Sequence, residues 1–454
     1  MPEPIISVSG LRGIVGQSLT PLVAARYVAA FAATLGKGHV VVGRDGRASG
    51  SMLAQIVSGT LAACGRRVLY ADVASTPTLG VLVRSHMAAG GVQISASHNP
   101  LSYNGLKLFN ADGRVLPAAA GQPVLEGYRA GAASFVAAEH LGAQSQIGDT
   151  IGPHLRLVLA TVDVAAIRAR RFRVLLDSNA GAGSLLGQRL LSELGCEVTL
   201  LGGTPSGRFE HPPEPTAENL QGVAGRVVDA AAQIGFCQDP DADRLALIDE
   251  RGRYIGEEYT LALCVDHVLR HTPGPIVTNC ATSRMSEDIA KRHAAAFHRS
   301  AVGEANVADK MLAVGAVFGG EGNGGPIDPR VGLVRDSFVG MALVLASLAE
   351  QNAKLSQLVA ELPRYTIDKQ TLKFPAEKLP RALDALQAHN QDALASRLDG
   401  LRLDWPDRWL IVRGSNTEPI IRLIAEAPEP AAARQLIDAA SQLLKTLGEA
   451  AARQ

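Results

Sequence analysis

Residues 39–47 read His39-Val40-Val41-Val42-Gly43-Arg44-Asp45-Gly46-Arg47, a β-branched run that ends in charged residues and glycine. An alanine- and leucine-rich run, SMLAQIVSGTLAACG (51–65), follows with helical spacing, and RVLYADV (67–73) and GGVQISAS (90–97) return to strand character. Strand, helix and strand in this order predict a mostly parallel α/β layer. The rhythm recurs in RFRVLLDSN (171–179), GAGSLLGQRLLSELG (181–195) and CEVTLLG (196–202). It recurs again in GPIVTNCATS (274–283), RMSEDIAKRHAA (284–295) and a short strand at 296–299. Similar units at wide spacing point to repeated α/β domains rather than one large sheet.

The punctuation between these units agrees. Residues 202–219, GGTPSGRFEHPPEPTAEN, are too rich in glycine and proline for a regular element. A helical stretch spans Phe338 to Leu362, and the pattern changes after Leu362-Pro363. IDKQTLKF reads as strand, KLPRALDALQAH as helix, and LRLDW, WLIVRG and IIRLIAEA as strands. A closing amphipathic helix starts near Glu429-Pro430, with proline in its first turn. The expected fold class is therefore α/β: three similar mixed-sheet α/β/α domains plus a smaller C-terminal α+β domain. The expected divisions are 1–150, 151–252, 253–364 and 365–454. Length alone, 454 residues, suggests roughly three domains.

Composition narrows the function. Lys+Arg and Asp+Glu both number 44, so the basic field of a nonspecific nucleic-acid binder is absent. Aromatic residues at 4% leave little for a base-stacking platform. The five cysteines (Cys64, Cys196, Cys237, Cys264, Cys280) are scattered and form no CxxC pair, which fits reduced thiols. The N-terminus lacks a basic region and an apolar core, and no apolar run reaches bilayer length. A cytoplasmic protein with no membrane or nucleic-acid partner is expected.

Four segments carry chemistry. In Ile94-Ser95-Ala96-Ser97-His98-Asn99-Pro100 a strand ends on small hydroxyl residues, and Asn-Pro forces a turn. A serine on such a turn can serve as nucleophile or phosphate carrier, although a Ser/Asn turn also caps elements without further role. In Asp239-Pro240-Asp241-Ala242-Asp243-Arg244 three carboxylates at alternate positions repel one another unless a cation lies between them. Oxygen donors favour Mg²⁺, Ca²⁺ or Mn²⁺. An EF-hand is excluded because Arg244 stands where its loop needs glycine. Gly320-Glu321-Gly322-Asn323-Gly324-Gly325 lets backbone approach a ligand and offers two polar side chains. Arg413-Gly414-Ser415-Asn416-Thr417-Glu418-Pro419, with Arg422 beyond, offers amides, hydroxyls and guanidiniums to a phosphate.

Together and in this order, the four segments resemble those of the α-D-phosphohexomutases, and the resemblance covers nearly the whole chain. Ser9-Gly10-Leu11-Arg12-Gly13 and Tyr103-Asn104-Gly105-Leu106-Lys107 are also similar to family segments. The resemblance implies four domains around a central cleft and a phosphoserine at Ser97. It implies one Mg²⁺ held by Asp239, Asp241, Asp243 and the Ser97 phosphate. Arg12, Lys107 and Arg244 would surround the transferring phosphoryl group, with His98 in the catalytic set and Lys107 a candidate for proton transfer. Glu321 and Asn323 would meet sugar hydroxyls. Arg413, Ser415, Asn416, Thr417 and Arg422 would grip the other phosphate. The implied reaction moves a phosphate between the 6- and 1-positions of a hexose through a bisphosphate, which also serves as activator.

Val302-Gly303-Glu304-Ala305-Asn306-Val307 with Lys310-Met311 resembles the phosphoglucosamine mutase branch, so glucosamine phosphate is the expected substrate. Mannose or glucose phosphates are the alternative. A metal-dependent phosphatase or a non-catalytic sugar-phosphate binder would leave either the serine turn or the intact Ser97, Lys107 and triad unexplained.

Overall fold

The computed structural model describes residues 4–7, 10–414 and 420–450. Ser9, Ser415, Asn416, Thr417, Glu418 and Pro419 lie outside the described residues. The Val40–Arg44 strand sits inside the first sheet, parallel to Val68–Val73 and Gly90–Ile94. Val40, Val41 and Val42 are fully buried because helices cover both faces of this layer. The full order across the sheet is 5–7, 10–14, 103–109, 90–94, 40–44, 68–73 and 144–146. Tyr103–Phe109 and Gly10–Ile14 run antiparallel at one side, so the sheet is mixed. This antiparallel return sets Lys107 opposite Gln93 and Arg12 opposite Gly105, both close to the end of Gly90–Ile94.

The second sheet has the order 245–249, 234–238, 173–177 and 197–201, with Leu245–Asp249 antiparallel. The third has the order 297–300, 276–279, 318–321 and 325–327, with Gly325–Ile327 antiparallel. Each therefore repeats a parallel core finished by a hairpin, and the loop entering that hairpin is the metal-type loop in one and the sugar-type loop in the other. The last sheet, 366–373, 420–427, 409–414, 401–404 and 394–396, is antiparallel throughout and is packed by Pro430–Ala450. The α/β class, the three related layers and the smaller α+β unit match the sequence reading.

One element differs. The helical stretch read over 338–362 is two helices, Ser337–Glu350 and Leu355–Ala360, broken by Asn352 at φ 48°. The left-handed conformation at asparagine ends the first helix, and composition alone hides the break. Asp336 starts that first helix by accepting bonds from the Phe338 and Val339 amides, and the helix is buried along nearly its whole length.

Candidate active site

The Gly90–Ile94 strand delivers Ser95, Ala96 and Ser97 beneath the floor of a cleft of about 530 Å³, which His98, Arg12 and Lys107 line. Ser97 is 1% exposed and sits at φ 50°, a left-handed conformation that a non-glycine residue holds only when its surroundings enforce it. The enforcing group is Arg47, itself buried. Its guanidinium donates to the carbonyls of Ser97 (2.6 Å), Asn99 (2.7 Å), Pro100 (2.9 Å) and Tyr103 (3.2 Å), and its Nε to Asp45 (3.1 Å). Asp45 in turn accepts the Ser95 hydroxyl at 2.7 Å, and Ser95 Oγ accepts the Ser97 amide at 2.9 Å. The Arg44-Asp45-Gly46-Arg47 tail of the first strand is thus the scaffold of the serine loop.

Ser97 Oγ donates to Asp239 Oδ2 at 2.7 Å, joining the first sheet's loop to the second's. Asp239, Asp241 and Asp243 are fully buried, and one oxygen of each lies within 4.8 Å of the others. The loop between them is held by the Asp243 and Arg244 amides, which donate to Asp239 Oδ1 at 3.1 Å each, and by Ala242 at φ 56°. Oδ1 of Asp241 and Oδ1 of Asp243 are buried without a hydrogen-bond partner among the described residues. Orphaned carboxylate oxygens cost free energy unless a cation completes them, so the donor set fits a hard divalent metal. Burial, and then the charges of Asp241 and Asp243, push the Asp239 carboxyl well up. Burial also opposes charge on Asp243, but Arg335, Lys107 and Arg244 outweigh it and hold that carboxyl low.

The cationic groups converge on this triad. Lys107, 6% exposed, donates to Asp241 at 2.6 Å and Asp243 at 2.9 Å. Burial would lower its ammonium, but the two aspartates overcome that and keep it charged. Arg12 reaches Asn99 at 3.5 Å, and Arg244 stands 3.6 Å from Glu214. His98 Nδ1 lies 3.3 Å from Ser97 Oγ; burial, with Arg244 and Arg12 nearby, pushes its imidazolium down to about 3. The ring is neutral at physiological pH. Glu321 accepts from Asn279 (2.7 Å), the Gly303 amide (3.0 Å) and Arg335 (2.8 Å), while Asn323 lies 3.4 Å from Glu321.

The last sheet closes the cleft with Lys369, Arg413 and Arg422. Arg413 and Arg422 are cross-strand partners, a like-charge pairing that costs energy unless an anion shares it. Asp399 takes Arg413 at 3.1 Å. Among the described residues no carboxylate pairs with Arg422.

Sequence reading missed four groups. In the sequence Arg47 and Asp45 read only as the charged end of a strand. Thr76 donates to Asp241 Oδ2 at 2.5 Å from a helix start with no motif of its own. Arg335, buried, donates to Asp243 at 2.6 Å and Glu321 at 2.8 Å, bridging the second and third units. Only the Arg-Asp-Gly-Arg tail carried a local signal, charge and glycine packed against a buried strand's end. Arg335 is isolated in sequence.

The phosphoglucomutase/phosphomannomutase family models match in four blocks: α/β/α domain I over residues 5–133, domain II over 153–252, domain III over 257–365 and the C-terminal domain over 371–443. A phosphoglucomutase/phosphomannomutase of Thermococcus kodakarensis is 37% identical over 451 residues, covering 96% of this chain and 97% of that one. A probable phosphoglucosamine mutase of Methanopyrus kandleri is 33% identical over 434 residues, covering 95% of each. The crystal structure of a phosphoglucomutase/phosphomannomutase family protein from Burkholderia thailandensis superposes with a TM-score of 0.85 at 27% identity, covering 97% of this chain and 96% of that one. With His98, Lys107, Arg244, Glu321, Asn323, Arg413 and Arg422 lining one cleft above the buried aspartate triad, and the four family blocks spanning the molecule, the chain belongs to the phosphoglucomutase/phosphomannomutase family of phosphohexomutase isomerases.

Proposed function

We propose that this phosphohexomutase interconverts glucosamine 6-phosphate and glucosamine 1-phosphate, with Ser97 carrying the transferred phosphate. The observation that carries the mechanism is the 2.7 Å contact of Ser97 Oγ with Asp239, inside a triad whose other aspartates hold Lys107. Asp239, Asp241 and Asp243, with an oxygen of the Ser97 phosphate, would hold one Mg²⁺. When bound, the ion supplies positive charge that stabilises phosphoryl transfer. Arg12, Lys107 and Arg244 line the same floor and neutralise the remaining phosphoryl oxygens.

In the first half-reaction the Ser97 O–P bond breaks and a bond forms from phosphorus to the free sugar hydroxyl, giving a bisphosphate. The hydroxyl's proton leaves to a cleft base. His98, neutral and 3.3 Å from Ser97 Oγ, is placed to take it and to pass a proton to the leaving Ser97 oxygen, which ends as the free hydroxyl; Lys107 could do so only after losing its two aspartate partners. The bisphosphate turns over and returns its other phosphate to Ser97. An added hexose bisphosphate rephosphorylates Ser97, which makes it an activator. Glu321 and Asn323 meet the sugar, and Arg413 and Arg422 hold the distal phosphate in either orientation. Ser415, Asn416 and Thr417 are proposed to join that grip on the family resemblance alone. Because water would hydrolyse the phosphoserine, the last domain closes over the cleft; small-angle scattering with substrate should show compaction.

Support for an amino sugar is the carboxyl-lined wall of the cleft, Glu304 with Glu257, Glu258 and Glu321, whose oxygens can accept from an ammonium; burial raises the Glu257 carboxyl and pushes Glu258 up to about 8. Glu304 is partly engaged already: it accepts the Arg335 amide at 2.6 Å, and burial pushes its carboxyl up to about 7. Mannose or glucose phosphate is a second reading, favoured by the Thermococcus relative named for those activities. Intact-mass measurement should find one phosphate on the wild type and none on Ser97→Ala. A kcat/KM comparison across glucosamine, mannose and glucose 6-phosphates decides the sugar, and equal values would remove the amino-sugar reading.

A further inference from the structure

Helices Glu257–His271 and Ser337–Glu350 pack together and run away from the cleft, and their C-terminal ends meet on the far side. His267 and His271 lie one turn apart on one helix face, with ring centroids 4.9 Å apart. Glu350, the last residue of the other helix, places Oε2 2.9 Å from His271 Nε2 and 3.5 Å from His267 Nδ1. One donor atom from each of the three lies within 4.8 Å of the others. A cavity of about 400 Å³ opens beside them.

An ordinary surface ion pair accounts for His271 and Glu350. It does not account for His267, which is only 7% exposed and whose Nδ1 has no hydrogen-bond partner among the described residues. A buried ring nitrogen that makes no hydrogen bond among the described residues, and that faces a carboxylate oxygen 3.5 Å away and a second imidazole, is arranged as a metal ligand would be.

We propose that His267, His271 and Glu350 form a second cation site, remote from the aspartate triad, for a borderline transition metal of the Zn²⁺ class. Two imidazoles and one carboxylate suit such an ion, whereas the all-oxygen triad suits Mg²⁺. Three protein ligands leave a coordination position for water or a small anion from the cavity. Two helix C-termini converge here, and their partial negative charge favours a cation. The neighbouring positive side chains are already engaged: Arg270 pairs with Asp266 at 2.9 Å and Arg330 with Asp328 at 2.6 Å. Burial disfavours the protonated His267 ring, so its lone pair is available to a metal. An ion here ties the ends of the two helices whose opposite ends border the cleft.

The test uses the full chain, stripped with a chelator and kept in excess Mg²⁺ so that the triad is occupied. Calorimetric titration with ZnCl₂ should show one equivalent bound at about micromolar Kd. Titration with CoCl₂ should give visible absorption from nitrogen coordination. His271→Gln, at an exposed position, and Glu350→Gln should each weaken Zn²⁺ binding by at least about tenfold, since even outer-shell losses cost that much. His267→Gln/His271→Gln should abolish binding and the Co²⁺ absorption while mutase turnover in Mg²⁺ stays at the wild-type value. No Zn²⁺ uptake by the wild type, or equal affinity in His271→Gln with unchanged Tm, would overturn the proposal.

Discussion

The floor of the cleft and its roof are built on opposite plans. On the floor, Ser97, Lys107, Arg335 and the three aspartates are nearly all buried, and each is tied across a domain boundary at 2.6–2.9 Å. The roof is an antiparallel sheet that presents Lys369, Arg413 and Arg422, with Arg422 exposed and Arg413 paired with Asp399. The sheet docks elsewhere: Arg402 donates to the Cys280 carbonyl at 2.5 Å, the Arg284 amide to Glu426 at 3.0 Å, and Trp409 packs with Cys280 and Ile411. Fixed, mutually compensating charge stands where bonds would break, because reorganisation there would raise the barrier. More exposed and more loosely held donors stand where the proposed function places a ligand that is accepted and released. The comparison suggests that losses on the floor strike chemistry and folding, and losses on the roof strike binding.

Ser97→Ala is the severest test. It removes the proposed phosphate carrier, and turnover should fall on the order of 10⁴-fold or more with the fold intact, as for other covalent nucleophiles. A variant that kept mutase activity would move the reacting atom off the floor altogether. Removing the metal comes next: chelation should cost about 10³-fold in turnover, equivalent to several kcal/mol of lost charge stabilisation, and added Mg²⁺ should restore it. Asp241→Asn should reproduce the loss without the rescue.

Arg335→Met separates floor from roof by stability. It leaves Asp243 and Glu321 buried without their shared cation, so unfolding free energy should drop by about 3 to 5 kcal/mol in thermal or denaturant melts. Arg422→Ala should leave the melting temperature nearly unchanged and raise KM for the sugar phosphate by about tenfold to a hundredfold, the worth of one charged hydrogen bond. If Arg422→Ala destabilised the chain as much as Arg335→Met, the two-plan description would fail.

Much of this architecture was legible before any coordinates. Strand periodicity and proline–glycine punctuation marked the layers, because those signals act over a few residues. The split at Asn352 was not legible, since a single left-handed residue leaves no mark in an alanine- and leucine-rich run. Ser97 and Asp239, Asp241 and Asp243 announced themselves, because a turn serine and alternating aspartates are local patterns with chemical meaning. Arg47 was hidden in a strand's tail, where its charge looked like a solvated end. It is instead the buried support that holds Ser97 in its left-handed turn.

The amino-acid sequence by itself determined the repeated α/β plan, the four chemical loops and their order, all carried by residues near one another in the chain. Only the tertiary structure decided that Ser97 meets Asp239, that Lys107 and Arg335 compensate the triad, and that His267, His271 and Glu350 converge. Those pairings span 142 residues for Ser97 and Asp239 and 92 for Arg335 and Asp243. Over such separations nothing in the local pattern specifies a partner. The burial that makes each charge require one arises only when the sheets pack together.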